Sequence, residues 1–357
     1  VNDLVALSLL TLIPGISGGS ETYARELSSA LAREGTLKYA AYVPSIAPNA
    51  ANGLPAQVVA SYPASRTTAG RIAGMARAAL APGAVRRALL RADPAVVHFP
   101  LSVMLPRVNH PAVVATVHDL QHELFPEFFP RAEVAYRRLV YGWTIRKSAR
   151  VITVSDAARA ALIERYKLEP SKVVRIYNGV DHSRFRPAAR NREHFLLYPA
   201  NRWRHKNHET LFRAFAILRR TMPELRLVLT GSGHERQRCP EGVTVLGHVP
   251  VEKLIELYQT AAAVVFPSLY EGFGLPVLEA MACGCPVASS NAASLPEVCG
   301  GAAALFDPRS PDEIAAAVLD VLGHAGEFSA KGLVQAAKFT WSSTARQHED
   351  VYKSLMR

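Results

Sequence analysis

The chain has 357 residues, 49% of them hydrophobic and 20% charged, and a formal net charge of +11. These are globular values, and at roughly 100–200 residues per domain the length points to two domains. They leave no room for a membrane span: the nearest candidate, Leu4 to Ile16, is uncharged but broken by Pro14 and Gly15, is too short, and lacks the basic start of a signal peptide.

That first run reads as a strand, Asp3–Leu10, followed by a loop. Ala95–Phe99, Ala112–Val117, Val151–Ser155 and Val173–Tyr177 read as further strands, apolar on both faces as in a parallel sheet covered by helices. Ser20–Arg33, Arg131–Lys147 and Ala157–Tyr166 read as helices between them, the last with Ser155 as its N-cap. The pattern then restarts. Phe195–Tyr198, Leu225–Leu229, Val243–Leu246, Val264–Pro267 and Pro286–Ser289 are predicted strands, with helices over Glu209–Met222 and Glu252–Thr260. Ser310-Pro311-Asp312-Glu313 opens another helix, with a capping Ser, Pro at the first position and Glu in the capping-box position. Two rounds of strand–helix alternation predict an α/β protein of two doubly wound, Rossmann-like domains. The linker is placed at Phe185–Arg192, where Arg186-Pro187 interrupts the periodicity, giving domains over 1–187 and 188–338. Residues 339–357 are expected to form a helix that packs back on the first domain.

Cys239, Cys283, Cys285 and Cys299 form no C-x-x-C pair, and Cys283-Gly-Cys285 is too tight for ordinary zinc spacing. They read as reduced thiols of a cytoplasmic protein. Charge is uneven: residues 1–187 carry 23 Lys/Arg against 13 Asp/Glu, residues 188–357 carry 18 against 17. No acid lies between Glu34 and Asp93, where Lys38, Arg66, Arg71, Arg77, Arg86, Arg87 and Arg91 all fall. Such asymmetry fits either an anionic partner for the first half or a solvated Arg-rich face. Arg137-Arg138-Leu-Val-Tyr141-Gly-Trp143-Thr-Ile-Arg146-Lys147 mixes cations with aromatics, as membrane-surface helices do, or is an ordinary helix whose aromatics pack inward.

Ligands of doubly wound sheets bind beyond the carboxyl ends of the strands, which is where the chemistry is sought. The strongest signal is Glu271-Gly-Phe-Gly-Leu-Pro-Val-Leu-Glu279, after a strand and opening a helix at Pro276. Gly272 and Gly274 allow close backbone approach, and the helix N-terminus suits a diphosphate. Glu271 and Glu279 are poor phosphate ligands but good acceptors for sugar and ribose hydroxyls. Asn201-Arg202-Trp-Arg204-His-Lys206-Asn207 supplies cations for the diphosphate, with Arg202 and Lys206 as candidates. Ile16-Ser17-Gly18-Gly19-Ser20-Glu21 forms a Gly-rich loop at a helix N-terminus, and His118-Asp119 ends a strand.

The E-x7-E element, continued by Glu279-Ala-Met-Ala-Cys-Gly-Cys-Pro-Val, resembles that of the retaining glycosyltransferase family 4, of the GT-B fold, in which two Rossmann-like domains face a central cleft. Tyr177-Asn-Gly-Val-Asp181, Leu229-Thr-Gly-Ser-Gly233, Gly247-His-Val, Ser294-Leu-Pro-Glu297 and Phe339-Thr-Trp341 are similar to further family motifs. The resemblance spans nearly the whole chain and is weakest from Tyr42 to Asp93. It implies a retaining hexosyltransferase using a nucleotide-sugar donor. Arg202 and Lys206 would hold the diphosphate, and Glu271 with Gly272, Phe273, Gly274 and Leu275 the donor sugar. Glu279 would bind the ribose, and His118 would lie near the reacting sugar. Gly18, Gly19, Gly231, His248 and Val249 complete the donor-binding set. His205-Lys206 stands where the family often has Arg-Lys, so either Arg202 or Arg204 is the functional guanidinium. Val117 to Pro126 is similar to members that are mannosyltransferases, which leans the donor towards GDP-mannose.

No D-x-D motif occurs, so no metal and no other cofactor is expected: the basic pair and the helix N-terminus supply the positive charge. The acceptor is expected to be anionic or lipid-linked, reached by peripheral contact with the inner face of a membrane. Two other readings compete. A GT-B nucleotide-sugar epimerase fits the E-x7-E block less well, and a pyridoxal-phosphate phosphorylase would be much longer. A nucleic-acid-binding protein would account for the basic half, but no helix-turn-helix, zinc finger or aromatic platform is present, and no nucleic-acid partner is expected.

Overall fold

The structure, a computed structural model, describes residues 3–15, 18–65, 67–234 and 239–356. Ile16 and Ser17 of the Gly-rich loop and Arg66 of the basic stretch lie outside the described residues. The chain divides into two units: Val1–Gly179 with Trp341–Arg357, and Val180–Thr340. The division thus falls before Phe185–Arg192. Phe185 is buried in the second unit, its ring 6.4 Å from that of Tyr258.

Unit 1 runs β1 (Leu4–Ser8), α1 (Gly19–Glu34), β2 (Lys38–Val43), β3 (Ala56–Val58), α2 (Thr68–Leu80), α3 (Gly83–Leu90), β4 (Val96–Phe99) and β5 (Val113–Val117). It continues with α4 (Gln121–Leu124), α5 (Arg131–Lys147), β6 (Arg150–Thr153), α6 (Asp156–Tyr166) and β7 (Val173–Arg175). Its sheet has the order β3-β2-β1-β4-β5-β6-β7, every pairing parallel. β1, β4, β5, β6 and β7 are the predicted strands, and the first four are buried almost end to end because helices cover both faces. Four elements between Lys38 and Leu90 were not expected from sequence. β3 is a three-residue edge strand with every residue exposed, so no burial pattern marks it. α3 buries only Val85 and Leu89, one turn apart.

Unit 2 repeats the plan with β8 (Glu193–Pro199), α7 (His208–Thr221), β9 (Arg226–Thr230), β10 (Val243–Gly247), α8 (Val251–Thr260) and β11 (Ala261–Phe266). It closes with α9 (Leu275–Ala282), β12 (Val287–Ser290), α10 (Leu295–Cys299), β13 (Ala304–Phe306), α11 (Pro311–Gly323) and α12 (Ala325–Ala336). Its sheet, β10-β9-β8-β11-β12-β13, is also parallel throughout. In each sheet the strand order reverses beside the first strand, at β1/β4 and at β8/β11, the switch point where doubly wound folds bind ligands. The Ser caps form: Ser155 Oγ accepts from Ala158 N at 3.1 Å and Ser310 Oγ from Glu313 N at 3.2 Å. The expected reciprocal bond from Glu313 differs, since its carboxylate accepts from Asp307 N, 3.0 Å away, and clamps the preceding loop. The cysteines are free. Burial pushes the Cys283 and Cys299 thiols up to about 12 and Cys285 to about 11, which keeps them protonated and unreactive.

The last helix, α13 (Trp341–Leu355), belongs to unit 1 and packs on α1. Its anchor is Glu349. Oε1 accepts from Thr36 N (2.6 Å), Leu37 N (3.1 Å) and Tyr39 Oη (2.6 Å), and Oε2 from Thr36 Oγ1 (2.8 Å). Burial opposes ionisation there, but the bonds from Tyr39 and Thr36 hold the carboxyl at about 2. The preceding residue, His348, is fully buried, and burial pushes its imidazole down to about 4. His98 on β4 is depressed by burial and by His348 and His118.

An unfolded His titrates near 6.5 and the folded His348 near 4, so as pH falls through this window only the unfolded chain gains the proton. Stability is full above about pH 6.5 and is expected to fall by about 2–3 kcal/mol on reaching pH 4.5 through His348 alone. Urea unfolding of the wild type and of His348→Leu at both pH values checks this. The variant should lose distinctly less on acidification, and equal losses would contradict the assignment.

Candidate active site

The loop after β8 turns through a short 3-10 helix, Arg204–Lys206, and enters α7 at Asn207, whose φ of 59° is left-handed. Asn207 holds that conformation with its side chain: Nδ2 donates to Pro267 O (3.0 Å) and Pro308 O (2.6 Å), and Oδ1 accepts from Thr210 Oγ1 (2.7 Å). The loop after β8 is thereby tied to the end of β11. Leu269 N donates to His205 O at 2.8 Å in the same seam. Lys206 is driven inward, and its Nζ lies 2.6 Å from Glu271 Oε1, with both side chains almost covered. Burial would raise the Glu271 carboxyl, but the Lys206 ammonium, His205 and hydrogen bonds from Lys206 and Ser268 bring it below its usual value. Two residues 65 positions apart, selected from separate motifs, are thus one ion pair.

Glu271 opens the loop into α9. Ser294 Oγ lies 2.9 Å from Glu271 O and 2.7 Å from Phe273 O, gathering the loop from behind. Gly274, at the N-cap, has φ 114°, and a Cβ there would come within 2.7 Å of Leu295 Cδ2. The N–H groups of Gly272, Gly274 and Leu275 have no hydrogen-bond partner among the described residues, and Pro276 has no N–H to satisfy. Three amide donors at a helix N-terminus beside a lysine ammonium form a site for an anion. Glu279, one turn on, accepts from Tyr258 Oη at 3.1 Å.

The neighbouring loops end at the same edge. Gly231, after β9, has φ 106°, and a Cβ would meet Ala200 C and O and Asn201 N at 2.7 Å, so only glycine lets these two loops touch. Its N–H donates to Gly247 O (2.8 Å), Ser232 N to Asn201 Oδ1 (2.7 Å) and Arg202 N to Ser232 O (2.9 Å). Arg202, Arg204 and His248 are exposed at this edge and Val249 is half-buried. Lys206, Glu271, Gly272–Leu275 and Glu279 are therefore assembled, while Arg202 and His248 extend into solvent. Asn207, Ser294 and Tyr258 support the site. Sequence marked the first two only as members of motifs and offered no signal for the third.

In unit 1, His118 follows β5. Its Nε2 lies 2.8 Å from Pro100 O; a carbonyl only accepts, so Nε2 carries the proton. Burial lowers the imidazole below its usual value, leaving it neutral with Nδ1 as acceptor. Gly18 (φ 53°) and Gly19 lead into α1, where Glu21 reaches back to accept from Gly15 N at 2.8 Å. Among the described residues no three His, Cys, Asp or Glu side chains group closely enough to hold a metal ion, and no helix is long and apolar enough to cross a membrane.

Residues 17–184 match the model of Glycosyltransferase Family 4, and residues 180–331 that of Glycosyl transferases group 1. An O-antigen chain mannosyltransferase B of Escherichia coli is 33% identical over 267 residues, 68% of this chain and 70% of that protein. The chain belongs to the family 4/group 1 glycosyltransferases. The fold of this glycosyltransferase agrees. Sucrose-phosphate synthase from Thermosynechococcus elongatus superposes with a TM-score of 0.80 at 22% identity, covering 99% of each chain. Anabaena Alr3699/HepE in complex with UDP-glucose gives 0.72 at 17% identity, over 98% of this chain and 99% of that one. The two Rossmann-like units are those of the GT-B fold.

The left-handed Gly274 of this glycosyltransferase gives a direct test of the loop. Gly274→Ala is expected to destabilise by about 1–3 kcal/mol, chiefly through backbone strain because the Leu295 methyl can move aside. Leu295→Ala added to it should therefore recover little. A thermal midpoint unchanged in Gly274→Ala would show that the turn is not held as described.

Proposed function

We propose that the protein transfers a hexose from a nucleotide-diphosphate sugar to an acceptor hydroxyl with retention of configuration and without a metal. The observation that carries the proposal is the Lys206–Glu271 pair beside the three unpartnered amides of the Gly272–Leu275 loop. The amides and the Lys206 ammonium take up the charge that develops on the departing diphosphate, with Arg202 or Arg204 adding a guanidinium. Glu271, kept ionised by Lys206, accepts from donor-sugar hydroxyls, and Glu279 accepts from the ribose. His118, neutral and protonated on Nε2, accepts at Nδ1 from a hydroxyl of the donor. Gly18 and Gly19 line the phosphate and acceptor side, and Gly231, His248 and Val249 the nucleotide side. Retention and metal independence are the family's expected chemistry, and the absence of a D-x-D motif supports the second.

Lys206→Ala should lower turnover on the order of 10²–10³-fold by removing charge stabilisation of the leaving group. Glu279→Ala should mainly raise the donor KM. Wild-type kcat in Lys206→Ala would remove Lys206 from the mechanism. Proton NMR of the product should show the donor's anomeric configuration; an inverted product or an epimerised nucleotide sugar would contradict the proposal. Turnover should persist in excess EDTA.

The donor we propose is GDP-mannose, supported by the stretch Val117–Pro126 and by the mannosyltransferase name of the Escherichia coli relative. The acceptor we propose is anionic or lipid-linked, in keeping with the basic first half and with location at the cytoplasmic face of a membrane. On α5, Trp143 packs inward under Arg107, and Tyr141 packs on His122. Tyr136 and Leu139 are exposed beside Arg138. Thermal shifts against UDP, GDP, ADP and dTDP sugars should be largest for GDP-mannose. Salt-sensitive sedimentation with anionic vesicles should follow; protein left in the supernatant at low salt would dismiss the membrane contact.

A further inference from the structure

His118 is held by more than Pro100. The Tyr23 ring of α1 meets it edge-on, with centroids 4.7 Å apart and planes at 80°. The Tyr23 hydroxyl is fully buried, 2.9 Å from Thr116 Oγ1 and 2.8 Å from His348 Nε2. Thr116 Oγ1 also lies 2.9 Å from His98 Nε2, and His98 Nδ1 lies 2.8 Å from Tyr352 Oη. His348 Nδ1 lies 2.7 Å from Thr344 O.

The end at Thr344 fixes every proton in this series. A carbonyl only accepts, so His348 carries its proton on Nδ1, and the neutral ring accepts the Tyr23 hydroxyl at Nε2. Tyr23 oxygen is left to accept from the Thr116 hydroxyl. Thr116 then accepts from His98 Nε2–H, and His98 Nδ1 accepts from Tyr352. The direction runs Tyr352, His98, Thr116, Tyr23, His348, Thr344 without a reversal. All five side chains that donate are buried within 0% exposure. Burial disfavours the charged form of both imidazoles, so the series stays neutral and singly assigned.

We propose that this one-way series makes Tyr23 and His348 positioning residues for the transfer reaction, holding the His118 ring so that Nδ1 faces the donor sugar. The proposal rests on the assignment of His118 made above. An apolar core would secure α13 equally well, but it would not fix the depth of the Tyr23 ring against His118. Two hydrogen bonds on one hydroxyl, each with a single allowed direction, anchor the end of the ring and so set that depth. The C-terminal helix thus reaches His118 through one phenol ring.

The test is a double-mutant cycle on kcat with Tyr23→Phe and His118→Ala. His118→Ala should lose about tenfold or more in kcat. Tyr23→Phe should lose about three- to tenfold in kcat with the donor KM within about twofold, and should lose nothing further in the His118→Ala background while still lowering the thermal midpoint there. An equal Tyr23→Phe loss in both backgrounds, or none in either, overturns the positioning role. Full kcat in His118→Ala overturns the His118 assignment and the positioning with it. Where Tyr23→Phe does not fold, nitrogen-15 NMR of the wild-type imidazoles decides. His98 and His118 should carry the proton on Nε2 and His348 on Nδ1 at neutral pH; a His118 that samples both tautomers overturns the proposal.

Discussion

Every strand among the described residues runs parallel to its neighbours, and the rest of the structure follows from that constraint. A parallel pair needs a crossover, so each strand delivers its following loop to the same edge of the sheet. In unit 2 this brings the loops after β8, β9, β10 and β11 together although their sequences lie far apart. The backbones then come close enough that a side chain at Gly231 would strike Ala200 and Asn201. Converging loops leave amides and charges with few partners inside the protein, which is the raw material of an anion site.

The Lys206–Glu271 pair turns that crowding into chemistry. An ion pair this covered adds little stability over an apolar pair of the same shape, because desolvation offsets the attraction. Its presence makes sense as storage. Glu271 holds the Lys206 side chain in place, and the ammonium in turn lowers the Glu271 carboxyl below its usual value. The Phe266 ring, 5.2 Å from the ammonium, limits water on the other side.

Much of this was legible in the sequence, and the failures have physical causes. Buried parallel strands such as Val113–Val117 announce themselves as continuous apolar runs, and α5 fell within its predicted bounds because Pro130 and Ser148 flank it. β3 could not be read, since three exposed residues carry no pattern, and α2 and α3 lie in an Ala- and Arg-rich stretch where every face looks alike. Lys206 and Glu271 were both chosen, but their pairing is a tertiary contact no spacing encodes. Tyr23 and His348 were invisible for the same reason: 325 positions separate them, and each alone looks like ordinary helix filling.

The basic surplus of the first half also changes meaning in three dimensions. Several of its guanidinium and ammonium groups are structural fasteners that end on backbone carbonyls: Arg86 on Arg107 O, Arg159 on Val173 O and Pro170 O, and Lys172 on Arg146 O. Others converge on one acid, as Arg138 and Arg165 do on Glu123. A carbonyl satisfies a donor without cancelling its charge, so cations spent on loops still contribute to the field around the unit. A sequence poor in acids between Glu34 and Asp93 therefore keeps its positive potential even where its side chains are tied down. Fastening the loops and attracting the anionic acceptor proposed above are compatible demands on the same residues, because the first needs their hydrogen bonds and the second only their charge.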